Sequence, residues 1–166
     1  RPGAPIGADW DEAVDRWVLR HVDKVACVSR AQADKARSAG VPDAKIVVIH
    51  NAVGNDAFVE SDATGRNELL RLFAKPPRWI VGAAGRLSPE KGFSVLVEAA
   101  ALVLKDRPEA AFVLFGEGPL RAQLVAWITA RGIRDRFVLA GFHKDLSRFL
   151  RGLDIAVMSS FTEGLP

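Results

Sequence analysis

The sequence predicts an α/β protein built on parallel sheets, and three observations predict it. A strand, helix, strand order fills residues 24–49, a longer alternation with four strands fills 78–158, and the stretch 51–65 between them has no periodicity. Strands joined through a crossover helix run parallel, so each alternating series reads as its own parallel sheet. The chain has 166 residues, 49% of them hydrophobic, enough to bury a core. That length allows one ordinary domain or two small ones, and the aperiodic stretch marks a linker or boundary.

Taken in order, Trp10, Val14, Trp17, Val18 and His21 recur at helical spacing after Asp9, with Glu12 three residues on, so 10–22 reads as an amphipathic helix. "KVACV" (24–28) is a β-rich run. Ser29 and Gln32 repeat the capping-box pattern and open a helix that Gly40 closes, and "KIVVI" (45–49) is the second strand. "NAVGNDAFVESDATG" (51–65) is rich in turn residues, and a short helix (66–74) and "KPP" follow it. The second series then runs strand 78–84, helix 91–106, strand 110–115, helix 119–131, strand 136–140, helix 145–151, strand 153–158. In helix 91–106 the polar residues Ser94, Glu98 and Lys105 form one narrow stripe, which predicts a helix that is mostly buried.

The formal charge of +3 is too small and too scattered for a nucleic-acid surface, and no segment interleaves basic residues with aromatics. Residues 1–58 carry eight basic and eight acidic side chains and 59–166 carry fifteen and twelve, a balance better suited to one acidic ligand. Cys27 is alone, so no disulfide within the chain is expected and a buried thiol in a reducing compartment is. Three separated histidines with that one cysteine have no metal-binding spacing, and His21 reads as a packed or rim residue. Core packing is the expectation for Trp10 and Trp17. Ser29, Ser159 and Ser160 lack the Gly-x-Ser-x-Gly elbow of a hydrolase. No apolar run approaches the ~18 residues of a membrane span, so a soluble or peripheral chain is expected. The start at Arg1 and the stop inside "SSFTEGLP" lead to the expectation of a fragment.

In open parallel sheets, ligands bind beyond the carboxyl ends of the strands. Every unusual loop of the second series lies there: "GRLSPEKG" (85–92), "GEGP" (116–119), "GFH" (141–143) and "SSFTEGLP" (159–166). A diphosphate needs backbone N–H donors at a helix start and fixed positive charge. Gly85 and Gly92 let the backbone approach, Ser88 and Pro89 suit the cap and first turn of the helix, Arg86 and Lys91 supply the cations, and Glu90 is placed to orient Lys91. A capped turn with two solvated bases accounts for this stretch equally well by itself, and the convergence of four loops favours the ligand. The dinucleotide fingerprint fails on spacing, and "GEGP" is equally a plain turn with Pro119 at the first helical position.

"AAGRLSPEKGFSVLVEAAALV", "FVLFGEGP", "VLAGF" and "SSFTEGLP", in that order, resemble the donor-binding half of the retaining GT-B glycosyltransferases, the large nucleotide-sugar-dependent group 1 family. Upstream, "VACVSRAQADKARSAGVPDAKIVVIHNAVGNDAF" is similar to the last βαβ of that family's N-terminal domain and its crossing to the second. The resemblance implies Rossmann-like parallel sheets of a two-domain GT-B architecture, incomplete at both ends. Residues 1–58 would end the acceptor-side domain and 59–166 would begin the donor domain. Arg86 and Lys91 match the pair that holds the donor diphosphate, and Glu163 matches the glutamate that contacts the donor sugar; these three are the implied catalytic residues. Gly85, Gly116, Glu117, Phe142, His143, Gly164, Leu165 and Pro166 match the remaining donor-binding positions.

The implied function is transfer of a sugar from a nucleoside diphosphate sugar to a hydroxyl acceptor with retention of configuration, in polysaccharide, lipopolysaccharide or glycolipid synthesis. A GT-B phosphorylase, a nucleotide-sugar epimerase and a non-catalytic nucleotide-binding module are the alternatives. No cofactor or metal is implied. The expected partners are a nucleotide sugar and a sugar or lipid-linked acceptor, without nucleic acid. The expected location is cytoplasmic, with peripheral association at the inner membrane face open to the full-length protein. The chain departs from the family pattern in three places. The second donor glutamate would fall five residues past Pro166, Ala52 stands where the family has glycine, and Gly54 stands where an aspartate often follows. The fragment is therefore expected to bind donor weakly and to lack catalysis.

Overall fold

In the computed structural model, residues 17–19, 21–52 and 63–161 are described. They fall into two compact units, 17–52 and 63–161. The expected boundary at 58 and 59 lies outside the described residues, as does the first part of the expected helix 10–22, whose residues 17–19 and 21 are helical.

The first unit pairs β1 (Val25–Cys27) and β2 (Ile46–Val48) in parallel, Val25 opposite Ile46 and Cys27 opposite Val48. Helix α1 (Arg30–Ser38) joins them. Its N-terminus is closed as the sequence predicts, because the Ser29 hydroxyl accepts the Gln32 N–H at 3.2 Å. Gln32 reaches back one residue further than a standard capping box, accepting from the Val28 N–H at 3.2 Å. At the other end Val41 N–H donates to Ala36 and Gly40 N–H to Arg37, a Schellman closure. Cys27, 5% exposed, packs with Val25, Ala33, Ala36 and Val41. Trp17 is not in that core. It is 64% exposed, its ring lies 4.5 Å from that of His21, and His21 Nδ1 meets the Trp17 carbonyl at 2.7 Å.

The second unit is a four-stranded parallel sheet in the order β5-β4-β3-β6, made by β3 (Trp79–Ala84), β4 (Ala110–Phe115), β5 (Phe137–Gly141) and β6 (Ile155–Ala156). Strand β4 is buried along its whole length, as a central strand covered on both faces must be. Its alternation feeds two cores. Phe112 and Leu114 join Leu96, Val97, Leu124 and Ile128 under α3 (Phe93–Asp106) and α4 (Arg121–Ala130). Val113 and Phe115 join Leu69 and Phe149 under α2 (Ala63–Leu70) and α5 (Leu146–Arg151).

Several elements differ from the sequence expectation. Helix α2 occupies 63–70 in place of 66–74. Residues 72 and 73 already bond three residues back, and Lys75 precedes a proline, which disfavours helix. Helix α3 begins at Phe93, because 89–91 form a separate 3-10 turn and Gly92 caps the helix at φ +61°. Ser88 thus stands at the N-cap position of that turn without a side-chain cap bond, and Pro89 opens the turn and not the helix. Pro119 likewise sits ahead of α4, with Leu120 as its cap. Strand β6 is two residues long, in place of the expected 153–158, and just before it the Asp154 carboxylate accepts the Ile80 N–H at 2.7 Å where a main-chain carbonyl would otherwise do so. Helix α3 is only half buried, with Val95, Leu102 and Val103 at 50%, 64% and 41% exposure.

Candidate functional site

From β3 the chain builds outward through β4 to β5 and then returns to the far side of β3 as β6. That reversal is a topological switch point, where a parallel sheet opens a crevice at its carboxyl edge. The loops there are laced by backbone bonds. Gly85 N–H donates to Phe115, Leu87 N–H to Glu117, Leu120 N–H to Leu87 and Gly116 N–H to Gly141, all at 2.8–3.0 Å. Gly116 has φ +132°, and a Cβ there would lie 1.9 Å from the Gly85 carbonyl oxygen, so only glycine suits the position.

Six of the residues singled out from the sequence line one cavity of about 370 Å³: Gly85, Arg86, Gly116, Glu117, Phe142 and His143. Ala84, Phe115 and Leu146 complete it, which the motifs did not indicate because these are plain apolar residues of strand ends and a helix start. Phe142 is 71% exposed at the rim. His143 is held from three sides. Its Nε2–H donates to the Ala140 carbonyl at 3.1 Å, and its ring meets Phe115 and Phe149 edge-on at 5.5 and 4.8 Å. The Arg148 guanidinium lies over the Phe149 ring at 4.9 Å and pairs with Glu68 at 2.6 Å, which fixes α5 against α2. Glu117 accepts from Arg121 at 3.1 Å, a partner readable in the sequence from its spacing of four.

Lys91 is outside the cavity lining, but its side chain passes beside Gly85, which is part of that lining. The Cβ that Gly85 lacks would lie 3.6 and 3.7 Å from Lys91 Cδ and Cε. The Glu90 carboxylate, expected to orient Lys91, accepts the Ser88 hydroxyl. The Ser88 bond, its own backbone N–H and the nearby Arg86 and Lys91 charges hold the Glu90 carboxyl below its ordinary value, against a smaller opposing effect of burial. Glu163, Gly164, Leu165 and Pro166 lie outside the described residues.

Chemically the arrangement offers glycine backbone, aromatic side chains, one lining cation in Arg86 and a second, Lys91, beside Gly85, which suits a flat ring carrying an anionic tail. Among the described residues no group of three or more His, Cys, Asp or Glu side chains is placed to hold a metal ion, and no helix is long and apolar enough to cross a membrane.

The model of the family "Glycosyl transferases group 1" matches residues 69–166, and that of "Glycosyltransferase Family 4" matches residues 2–56. The chain is 32% identical over 162 residues to an alpha-D-kanosaminyltransferase of Streptomyces kanamyceticus, covering 93% of this chain and 42% of that protein. It is 28% identical over 151 residues to the UDP-Gal:alpha-D-GlcNAc-diphosphoundecaprenol alpha-1,3-galactosyltransferase of Escherichia coli, covering 89% and 37%. In structure it resembles Anabaena HepE, solved in complex with UDP-glucose, with a TM-score of 0.81 at 21% identity over 93% of this chain and 43% of that one. The C-terminal domain of the Francisella tularensis group 1 protein LpcC gives a TM-score of 0.56 at 26% identity over 66% and 60%. The chain spans about two fifths of the length of these curated relatives.

Proposed function

Because the chain belongs to the glycosyl transferases group 1 family, we propose that the protein transfers a sugar from a nucleoside diphosphate sugar to a hydroxyl acceptor, with retention of anomeric configuration. The observation that carries the reading is the joining of Gly85, Arg86, Gly116, Glu117, Phe142 and His143 around one cavity at the carboxyl edge of the sheet, with the Lys91 side chain beside Gly85. A relative named for a UDP-linked donor and a solved neighbour in complex with UDP-glucose support a nucleotide sugar as its ligand.

In this reading the nucleotide lies in the cavity and its diphosphate meets Arg86 and Lys91. As the bond from the anomeric carbon to the phosphate oxygen lengthens, negative charge grows on the departing phosphate, and the two cations stabilise it. They act without a metal or other cofactor. The acceptor oxygen forms the new bond on the face the phosphate leaves, and its proton passes to a phosphate oxygen. Glu163 holds the sugar hydroxyls. The acceptor is a sugar or a lipid-linked sugar, the product a polysaccharide, lipopolysaccharide, glycolipid or glycoside, and the protein works in the cytoplasm or at the inner membrane face.

Titrating the protein with UDP and GDP tests the site, and Arg86→Ala is expected to weaken the preferred nucleotide by roughly tenfold or more, the range for losing a charge-assisted bond. Incubation of the full-length protein with a panel of nucleotide sugars and glycoside acceptors tests the reaction. Release of nucleoside diphosphate with an α-linked product from an α-linked donor is the expected result. Epimerised donor, free sugar alone, or an inverted product would remove the proposal.

A further inference from the structure

The loop that follows β6 is tied to the cationic turn by a residue that the nucleotide reading does not use. The Ser159 hydroxyl donates to the Lys91 carbonyl oxygen at 2.8 Å. Two residues on, the Phe161 N–H donates to the Glu90 carbonyl at 2.9 Å. Next to Lys91 stands Gly92 at φ +61°, where a Cβ would lie 2.1 Å from the Ser159 carbonyl oxygen. Three contacts therefore hold residues 159–161 against 90–92 at the switch point of the sheet.

The turn needs such a restraint. Within 88–92 its own backbone bonds are Ser88 N–H to Arg86, Lys91 N–H to Ser88 and Gly92 N–H to Pro89, at 2.9–3.2 Å, and a left-handed residue follows at once. Single 3-10 turns have poorer hydrogen-bond geometry than α-helix and are weakly self-supporting. A lysine side chain has four flexible carbons, so the position of its ammonium depends first on a fixed backbone.

We infer that Ser159 is a positioning residue for the nucleotide site: its hydroxyl bond to the Lys91 carbonyl, made while its own carbonyl packs where Gly92 lacks a Cβ, holds Lys91 where the diphosphate of the ligand lies. The inference rests on the nucleotide reading above. It also places the two loops under one restraint, so that a displacement of the loop after β6 is felt at Lys91.

The test compares a nucleoside diphosphate with its parent nucleoside, because only the diphosphate reaches Lys91. In the full-length protein, Ser159→Ala is expected to weaken UDP about three- to tenfold, the size of one neutral hydrogen bond, and to leave uridine unchanged. GDP and guanosine replace them if the site takes a purine. Ser159→Thr keeps the hydroxyl and is expected to restore UDP binding to near the unsubstituted level. Gly92→Ala, which wedges the loops apart, is expected to reproduce the diphosphate-selective loss and keeps the test decisive if Ser159→Ala fails to fold. Equal weakening of UDP and uridine, or UDP binding lost in Arg86→Ala but untouched in Ser159→Ala and Gly92→Ala, overturns the inference alone. No nucleoside diphosphate binding by the unsubstituted protein overturns the nucleotide reading and the inference together.

Discussion

The backbone of Gly116 rests on the carbonyl of Gly85, so close that a Cβ on Gly116 would lie 1.9 Å from that oxygen. This contact joins the loops after β3 and β4 and forms the floor of the candidate site. Gly116→Ala must push the loops apart and also strain a residue at φ +132°. The expected cost is about 1–3 kcal/mol in urea unfolding, with weaker nucleotide binding. An unchanged unfolding midpoint would show that the loops separate freely.

Asp154 is the second control point. Its carboxylate accepts the Ile80 N–H at 2.7 Å and the Arg66 guanidinium at 3.0 Å, while Ile80 itself is fully buried. Asp154→Ala leaves a backbone donor without its acceptor and is expected to cost about 1–3 kcal/mol. Asp154→Asn keeps an acceptor for Ile80 and is expected to cost clearly less. Equal losses on denaturant titration would mean that the Arg66 charge, and not the Ile80 donor, sets the energy.

Glu90 provides a pH signature. Its carboxyl is held below the ordinary value chiefly by the Ser88 hydroxyl, so the folded state favours the ionised form. Such a group adds stability above its unfolded pKa, and that contribution fades as pH falls through the folded value. Wild type is therefore expected to exceed Glu90→Gln in thermal midpoint at neutral pH, with the gap closing as pH drops below the usual carboxylate range near ~4.3. An NMR titration of the Glu90 side chain with a midpoint at or above that range would refute the argument.

Val95, Leu102 and Val103 form an exposed apolar stripe on α3, at 50%, 64% and 41% exposure. Apolar stripes of this kind favour self-association. Replacing Val95 and Leu102 by Thr and Gln is expected to reduce light scattering of the 166-residue chain. Because neither side chain is buried, stability should stay within about 0.5 kcal/mol for each change. A large fall in unfolding midpoint would show that the stripe is packed in solution.

Much of this protein was legible from local pattern. Short apolar, β-rich runs set between helical segments located β1, β2, β3, β4 and β5 within a residue or two, because a strand covered on its faces is a local apolar run in the sequence. The capping pair Ser29 and Gln32 was legible for the same reason, since donor and acceptor are three residues apart. The helix starts at 93 and 121 were not legible. Ser88, Pro89 and Pro119 are good cap residues in isolation, but the loop bonds Leu87 to Glu117 and Leu120 to Leu87 engage those segments first. The start of β6 was over-read because only the folded sheet brings the Asp154 carboxylate to the Ile80 N–H, 74 positions away.

By itself the sequence determined the parallel α/β class and which loops are unusual, because period, turn chemistry and motif spacing are local. Tertiary structure decided that Gly85, Gly116 and His143 line one cavity, that the Glu90 carboxylate meets Ser88, and that the Ser159 hydroxyl bonds the Lys91 carbonyl. The physical reason is that hydrogen bonds and close contacts across dozens of residues depend on strand order. That order reverses at β6, where the chain crosses back past β3, and no local pattern encodes the reversal.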